Sequence, residues 1–272
     1  MITFGWHNNP MNKKINYLNK IESYCNDHGI DFESLLKIIN EPKVVPMIRG
    51  IGFEYVVEKD LKKKFEKSKR FEIRKPQINA QLGTPDVDVE IYDKEKNKSL
   101  TLECKLSKNN SFRSKSRLSE NAHCKIKVMR SRTLGEKNIK IVAKNEGINS
   151  KILREHKDSY IYTHFDFVIT NLRNAFYKTI DGSFKFSPTD EEETFLKKFL
   201  NTNKSEEINS MLIENHYFIE SKFLIAKDTD LQCRKKDCSN KNDCIFIPNY
   251  PLFDLTQNTP WKPLSDLENY LN

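Results

Sequence analysis

Two short runs near the middle of the chain alternate strictly between polar and apolar residues, and they constrain the fold more than any other feature. The first run, 86–92, places Asp86, Asp88 and Glu90 on one face and Val87, Val89 and Ile91 on the other. The second run, 99–106, alternates in the same way. Because side chains point to opposite faces of a strand at successive positions, both runs predict β-strands. The six residues 93–98 between them predict a hairpin with a long turn.

The rest of the chain predicts a mixture of helices and strands. Apolar residues at helical spacing predict helices, and short β-branched or aromatic runs predict strands. The predicted helices are 12–27, 32–39, 47–65, 118–132, 190–200 and 205–213. The predicted β segments besides the hairpin are 140–143, 165–170 and 217–226. This order favours an α/β protein.

Composition indicates a folded protein that works in the cytosol. Of its 272 residues, 37% are hydrophobic and 31% are charged, which is typical of a soluble globular chain. No stretch approaches the length of about 18 apolar residues that a bilayer span requires, and the N-terminus lacks a signal-peptide pattern. Six cysteines are too few and too unevenly placed for a disulfide scaffold, so thiols or a metal site are expected.

Positive charge is concentrated in one segment. Residues 105–144 hold twelve Lys or Arg and two acidic residues, which gives the segment a net charge of +10 in a chain whose total is +8. A basic surface of this kind suits a phosphate backbone, so double-stranded DNA is the expected partner. The alternative is a solvated face with no partner. The candidate DNA-binding residues are Lys108, Asn109, Arg113, Lys115, Arg117, Lys127, Arg130 and Arg132.

The predicted hairpin brings together residues with the chemistry of a metal-dependent nuclease. Asp86 lies on the first strand, while Glu103 and Lys105 share one face of the second and Cys104 points to the other face. Carboxylate oxygens are the ligands that Mg²⁺ prefers, and an ammonium group can stabilise charge on a phosphate. Asp86, Glu103 and the backbone carbonyl of Cys104 are therefore the candidate Mg²⁺ ligands. Asp88 shares the face of Asp86 and could replace it.

Pro85-Asp86, followed by Glu103-Cys104-Lys105, resembles the signature of the PD-(D/E)xK nuclease superfamily. The resemblance implies a restriction-endonuclease-like core, with a central mixed sheet flanked by helices, that hydrolyses DNA with Mg²⁺. It also implies a further acidic residue from a preceding helix, for which Glu54 is the candidate, with Glu58 one turn later. The domains then expected are an N-terminal helical segment (1–45), the nuclease core (46–188) and a C-terminal accessory lobe (189–272).

Within that superfamily, a type II restriction endonuclease is favoured because no Gly-rich ATP-binding loop is present and ample chain surrounds the core. The resemblance then implies a homodimer and a cognate DNA methyltransferase encoded nearby. The alternatives are another nuclease of the superfamily, acting in DNA repair or junction resolution, and a DNA-binding module that does not cut.

Three cysteines near the C-terminus form a second cluster. Cys233, Cys238 and Cys244 fall within twelve residues, a density of thiolates that suits structural Zn²⁺. Reduced loop cysteines with no metal are an equally good reading. A fourth ligand is not evident from the sequence. The nearest histidine is His216, and the remaining cysteines Cys25, Cys104 and Cys124 lie further away along the chain.

Overall fold

The computed structural model describes residues 10–76, 87–117, 119–181, 183–225, 233, 235, 236, 238, 241, 243–256 and 259–271. The chain divides into two compact units, Met1–Gly52 and Phe53–Asn272. Within the described residues, no helix is both long enough and apolar enough to cross a bilayer.

The first unit is helical. It contains α1 (Pro10–Asp27), α2 (Phe32–Ile39) and the beginning of α3 (Val45–Lys64). Gly29 ends the first helix with a φ of 63°, a left-handed conformation that glycine adopts without strain. Asp31 then caps α2, because its carboxylate accepts a hydrogen bond from the Ser34 amide at 2.6 Å. The three helices predicted for this part of the chain are confirmed.

The second unit is built on a mixed six-stranded sheet with helices on both faces, which confirms the predicted α/β class. The order of its strands is β1 (Phe71–Arg74), β2 (Val89–Asp93), β3 (Lys98–Leu106), β5 (Phe167–Asn171), β8 (His216–Glu220) and β10 (Lys262–Pro263). Only β3 and β5 pair in parallel within this sheet. Two strands that belong to the predicted C-terminal lobe, β8 and β10, are therefore part of the central sheet.

Smaller elements surround this sheet. Two-stranded ladders join β4 (His123–Lys125) to β9 (Leu252–Asp254) and β6 (Tyr177–Ile180) to β7 (Ser183–Phe186). The remaining α-helices are α4 (Glu136–Glu146), α5 (Ser150–Glu155), α6 (Asp190–Leu200) and α7 (Ser205–Glu214). Short 3₁₀ turns cover Tyr162–His164, Arg173–Phe176, Ser221–Leu224 and Leu264–Tyr270. The predicted helices 190–200 and 205–213 are confirmed as α6 and α7.

Each face of the central sheet carries its own hydrophobic core. On one face, α3 packs its buried residues Phe53, Val57 and Leu61 against apolar side chains of β2, β3 and β5, including Leu102 and Cys104. On the other face, α6 and α7 bury their apolar stripes against strands β5 and β8. Successive residues of β3 therefore face opposite sides of the sheet: Leu102 and Cys104 face α3, and Glu103 and Lys105 face the other side.

Two secondary-structure predictions are wrong. Residues 118–132 do not form a helix: Cys124, Ile126 and Val128 are fully buried at a period of two, and β4 pairs with β9. Leu118 itself lies outside the described residues. Residues 140–143 do not form a strand, because they belong to α4, which buries Ile139, Val142 and Ala143 at helical spacing.

The last predicted β segment, 217–226, is confirmed only in part. Strand β8 covers its beginning, and the chain then turns into the 3₁₀ segment Ser221–Leu224. Ala226 lies outside the described residues. The predicted strand 165–170 corresponds to β5, which is buried at every position.

Because Leu102 is fully buried in the core beneath α3, Leu102→Ala should lower the free energy of unfolding by about 2–5 kcal/mol through lost burial and a residual cavity. Ile141, which is 41% exposed on α4, is the matched control. Ile141→Ala should change the free energy of unfolding by less than about 1 kcal/mol. Urea denaturation followed by circular dichroism measures both, and equal losses would contradict this placement of the core.

Candidate active site

Strands β2 and β3 bring an aspartate against Glu103. Val89 pairs with Leu102 in the antiparallel ladder, so the next pair in the same register is Asp88 and Glu103. The Asp88 carboxylate accepts a hydrogen bond at 2.7 Å from the backbone amide of Cys104. Asp88, one of the two aspartates that the sequence left open, is thus placed beside Glu103. Asp86 lies outside the described residues, and its role stays a prediction.

Glu103 and Lys105 project together from one face of β3. The Glu103 side chain is only 3% exposed, and its Oε1 lies 2.5 Å from Nζ of Lys105, whose side chain is 20% exposed. The intervening Cys104 side chain is buried on the opposite face, in the core that contains α3. Glu103 and Lys105 therefore form a largely buried ion pair beside Asp88.

Burial and neighbouring charge control the protonation of this cluster. Burial, together with the negative charge of Glu103, raises the pKa of Asp88 to about 8, although Lys105 opposes the shift. For Lys105, burial is the largest single influence and acts to lower the pKa. Attraction from Glu103, together with smaller contributions from Tyr160 and Asp88, outweighs burial, so the pKa is raised and the ammonium stays charged at neutral pH. The cluster at neutral pH thus holds a protonated Asp88 and a positively charged Lys105.

Tyr160 completes the cluster, and sequence reasoning missed it. Its ring centre lies 5.5 Å from Nζ of Lys105, and its hydroxyl shares a hydrogen bond with Glu103. Burial and the charge of Glu103 raise the pKa of Tyr160, so the hydroxyl keeps its proton. It therefore donates a hydrogen bond to the Glu103 carboxylate. Tyr160 precedes a 3₁₀ turn in an irregular segment, where no periodic pattern marks a functional residue.

Glu54, the predicted acidic residue from the preceding helix, lies near the same cluster. Its carboxylate is 2.6 Å from Nζ of Lys75, and that ammonium also donates to the Asp88 backbone carbonyl at 3.2 Å. The charge of Glu54 contributes to the raised pKa of Asp88. Glu58, one turn later, is instead paired with Lys62 at 2.7 Å. Glu54 is therefore connected to Asp88 through Lys75, a residue that the sequence analysis did not single out.

The donors of this cluster fit a hard divalent cation. Asp88 and Glu103 offer carboxylate oxygens from adjacent strands, which are the ligands that Mg²⁺ prefers. The raised pKa of Asp88 reflects negative charge crowded into a buried place, and a cation bound there would offset that charge. The backbone carbonyl of Cys104, between Glu103 and Lys105 on β3, stays a predicted third ligand.

The basic segment begins where β3 leaves this cluster. Most of the candidate DNA-binding side chains are exposed, namely those of Lys108, Asn109, Arg113, Lys115, Arg117, Lys127 and Arg132. Arg130 differs from them. Its guanidinium donates to the Ser159 carbonyl at 3.1 Å and lies 5.0 Å from the centre of the Tyr160 ring. Arg130 is therefore half-buried beside the cluster, while the other candidates face solvent.

The three C-terminal cysteines converge on a histidine that sequence reasoning missed. Ligand atoms of His156, Cys233, Cys238 and Cys244 all lie within 4.8 Å of one another, so this group could bind a structural metal such as zinc. His216, the nearest histidine in sequence, instead has its Nδ1 3.3 Å from the Asp60 carboxylate. Cys25, Cys104 and Cys124 are buried elsewhere.

Comparisons with protein-family models, curated proteins and solved structures found no match to the chain.

The raised pKa of Asp88 predicts how stability depends on pH. Between about pH 4 and pH 8 the folded state holds a proton on Asp88 that the unfolded state releases, so the free energy of unfolding falls as pH rises through this window. Asp88→Asn, which keeps an oxygen to accept from Cys104, should remove this contribution. Urea denaturation in magnesium-free buffer should show wild type losing stability relative to the variant up to pH 8 and little further change above it. A difference that stays constant with pH would contradict the assignment.

Proposed function

We propose that this chain is a Mg²⁺-dependent endonuclease that hydrolyses phosphodiester bonds in double-stranded DNA. One observation carries the proposal: Asp88 and Glu103 face each other across adjacent strands, with the Lys105 ammonium 2.5 Å from Glu103. Acidic oxygen donors can hold a catalytic Mg²⁺, and an ammonium beside them can stabilise negative charge on the phosphate. The resemblance to the PD-(D/E)xK superfamily supports the same chemistry and the same Glu103 and Lys105, but its first acidic residue is Asp86, two positions before Asp88.

Each residue of the cluster has a chemical role in this proposal. Bound Mg²⁺ would lower the pKa of a coordinated water and neutralise charge on the phosphate oxygens. Asp88 and Glu103 would hold the cation, and Asp88 would release its proton to solvent when the cation binds. The Tyr160 hydroxyl donates to Glu103 and thereby fixes the orientation of that carboxylate.

Lys105 acts as a positive charge. Because its pKa is raised, its ammonium stays protonated at neutral pH, and it is therefore suited to donate hydrogen bonds to a phosphate oxygen. Charge that develops on that oxygen in the transition state is stabilised by a donor that is already in place. Removal of a proton from the attacking water then falls to another base.

Specific cutting of duplex DNA needs a surface that holds the backbone, and the basic segment supplies one. Its exposed Lys and Arg residues follow β3 directly, so contacts to DNA and the candidate cutting centre belong to one continuous stretch of chain. Within this class we favour a type II restriction endonuclease that acts as a homodimer, since two cutting centres match the two strands of a symmetric site. A cognate DNA methyltransferase would accompany it.

Digestion of a plasmid of known sequence tests the proposal directly. The full chain should produce discrete fragments with Mg²⁺ and none when Mg²⁺ is omitted. Omission is preferable to a chelator, which would also remove a metal from the cysteine and histidine cluster. Discrete fragments support restriction, whereas preference for branched over linear DNA would indicate a repair or junction-resolving nuclease. DNA binding without any Mg²⁺-dependent product would overturn the enzymatic proposal in favour of a binding module.

Substitutions in the cluster separate chemistry from binding. Asp88→Asn, Glu103→Gln and Lys105→Ala should each lower the cleavage rate at saturating DNA by about 10²-fold or more, while affinity for DNA measured without Mg²⁺ changes little. Glu72→Gln is the matched control, because Glu72 is an exposed residue of β1 paired with Arg74. Full activity in Asp88→Asn would show that this position does not hold the cation, and Asp86→Asn would then be the next variant to assay.

Phosphate contacts by the basic segment should appear in the salt dependence of binding. Lys115→Ala and Arg117→Ala should each weaken DNA binding and reduce the slope of log affinity against log salt by about 1. Lys94→Ala is the control, because Lys94 lies in the turn at the opposite end of β3 from Lys105. Fluorescence anisotropy with a duplex oligonucleotide measures these slopes. Equal effects from all three substitutions would mean that the basic segment is not the DNA surface.

A further inference from the structure

His156 is prepared as a metal ligand by its own hydrogen bond. It follows α5, is almost completely buried, and its Nδ1 lies 2.9 Å from the Ile152 carbonyl. A carbonyl can only accept, so Nδ1 carries the proton and Nε2 presents its lone pair. That lone pair faces sulfur: Nε2 is 3.2 Å from Sγ of Cys233 and 3.5 Å from Sγ of Cys244. A histidine whose other nitrogen donates to a carbonyl is the usual arrangement in metal sites.

The spacing of the four ligand atoms suits tetrahedral zinc. With Zn–S bonds of about 2.3 Å and Zn–N bonds of about 2.0 Å, a regular tetrahedron separates sulfur atoms by about 3.8 Å and nitrogen from sulfur by about 3.5 Å. The observed nitrogen to sulfur distances of 3.2 and 3.5 Å are close to this, and all four atoms lie within 4.8 Å of one another. Three thiolates and one imidazole are a common ligand set of structural zinc.

The cluster is also enclosed in the way that a structural metal site requires. Cys238 and Cys244 are buried in a small core with Ile139 of α4, Leu153 of α5 and Phe246. The Phe246 ring stacks on His156 with ring centres 4.1 Å apart. No disulfide joins any of the six cysteines, all of which are described. This apolar shell limits the access of water to the cluster, in which Cys233 is half-buried, and four protein ligands would leave no open coordination position for chemistry.

The residues around this cluster connect it to the candidate active site. Asp158, two residues after His156, accepts from Lys235 at 2.8 Å and from Asn249 at 2.6 Å. The Ile247 amide then donates to the Tyr160 carbonyl at 2.9 Å, and the Tyr162 amide donates to the Ile245 carbonyl at 3.1 Å. The segment that presents Tyr160 to Glu103 is thus paired with the chain that leaves Cys244.

We propose that His156, Cys233, Cys238 and Cys244 bind one Zn²⁺, and that this ion holds the Tyr160 segment in place beside Glu103. The ion joins Cys233, Cys238 and Cys244 to His156, which directly follows α5. Its role is structural, because all four coordination positions are filled by protein. Binding of zinc does not depend on whether the chain cuts DNA.

Elemental analysis tests the site. The full chain, purified without a polyhistidine tag or a chelator, should contain about one zinc per chain by plasma mass spectrometry. Cys238→Ser and His156→Ala should lower this content several-fold, while Cys25→Ala, a change at a buried cysteine of α1, should retain it. Iron in place of zinc, zinc retained in both variants, or a wild type that contains no zinc and takes none up from a zinc solution would overturn the proposal.

A measurement on the wild type keeps the test decisive if the variants fail to fold. Protein produced in cobalt-supplemented medium should show thiolate-to-cobalt charge transfer and the intense visible bands of tetrahedral Co²⁺. Weak bands typical of octahedral Co²⁺, or a disulfide between two of the three cysteines found by mass spectrometry, would contradict the site.

Hydrogen exchange tests the connection to Tyr160. Removal of zinc from the wild type should speed exchange at the amides of Ile247 and Tyr162 by about tenfold or more, while amides within β3 keep their protection. Unchanged exchange at those two amides would show that zinc does not hold the Tyr160 segment, whatever the zinc content. Because exchange and metal content are measured without DNA, either result is independent of the proposed nuclease activity.

Discussion

Repulsion between two carboxylates on neighbouring strands is the constraint around which the centre of this protein is arranged. Asp88 and Glu103 occupy facing positions in a buried part of the sheet, where like charges cannot both persist without compensation. Glu103 is offset by Lys105 and by the Tyr160 hydroxyl, and Asp88 accepts from the Cys104 amide and retains a proton. Each carboxylate thus has its own donors: the Cys104 amide and the Lys105 ammonium come from β3 itself, and the Tyr160 hydroxyl comes from a distant segment.

Sequence alone predicted the parts of this arrangement that depend on local periodicity. The alternation in 86–92 and 99–106 identified β2 and β3 and separated the face of Glu103 and Lys105 from the face of Cys104. It could not rank Asp86 against Asp88, because two residues on the same face differ only in register, and register is fixed by the pairing of whole strands. The capped helix α6 was equally predictable, since Thr189 and Glu192 form a capping box.

The parts that sequence could not predict depend on contacts between distant segments. Tyr160 and His156 come from irregular chain after α5, where side-chain direction follows tertiary packing and no local pattern. The error at 118–132 has a related cause: charged residues interrupt the apolar ones, so the period of two at Cys124 and Ile126 is visible only once β9 supplies a partner strand. The prediction of a strand at 140–143 rested on the β-branched residues Ile141 and Val142, but burial of one stripe of α4 against α5 and the cysteine cluster decides the conformation of this segment.

The proton on Asp88 bears on whether the central sheet can form before a divalent cation binds. With Asp88 protonated, the ion pair of Glu103 and Lys105 has no second carboxylate charge beside it from Asp88. The polypeptide can therefore complete its central ladder before it meets any divalent ion. A cation of the kind proposed for this place would have to displace that single proton from Asp88.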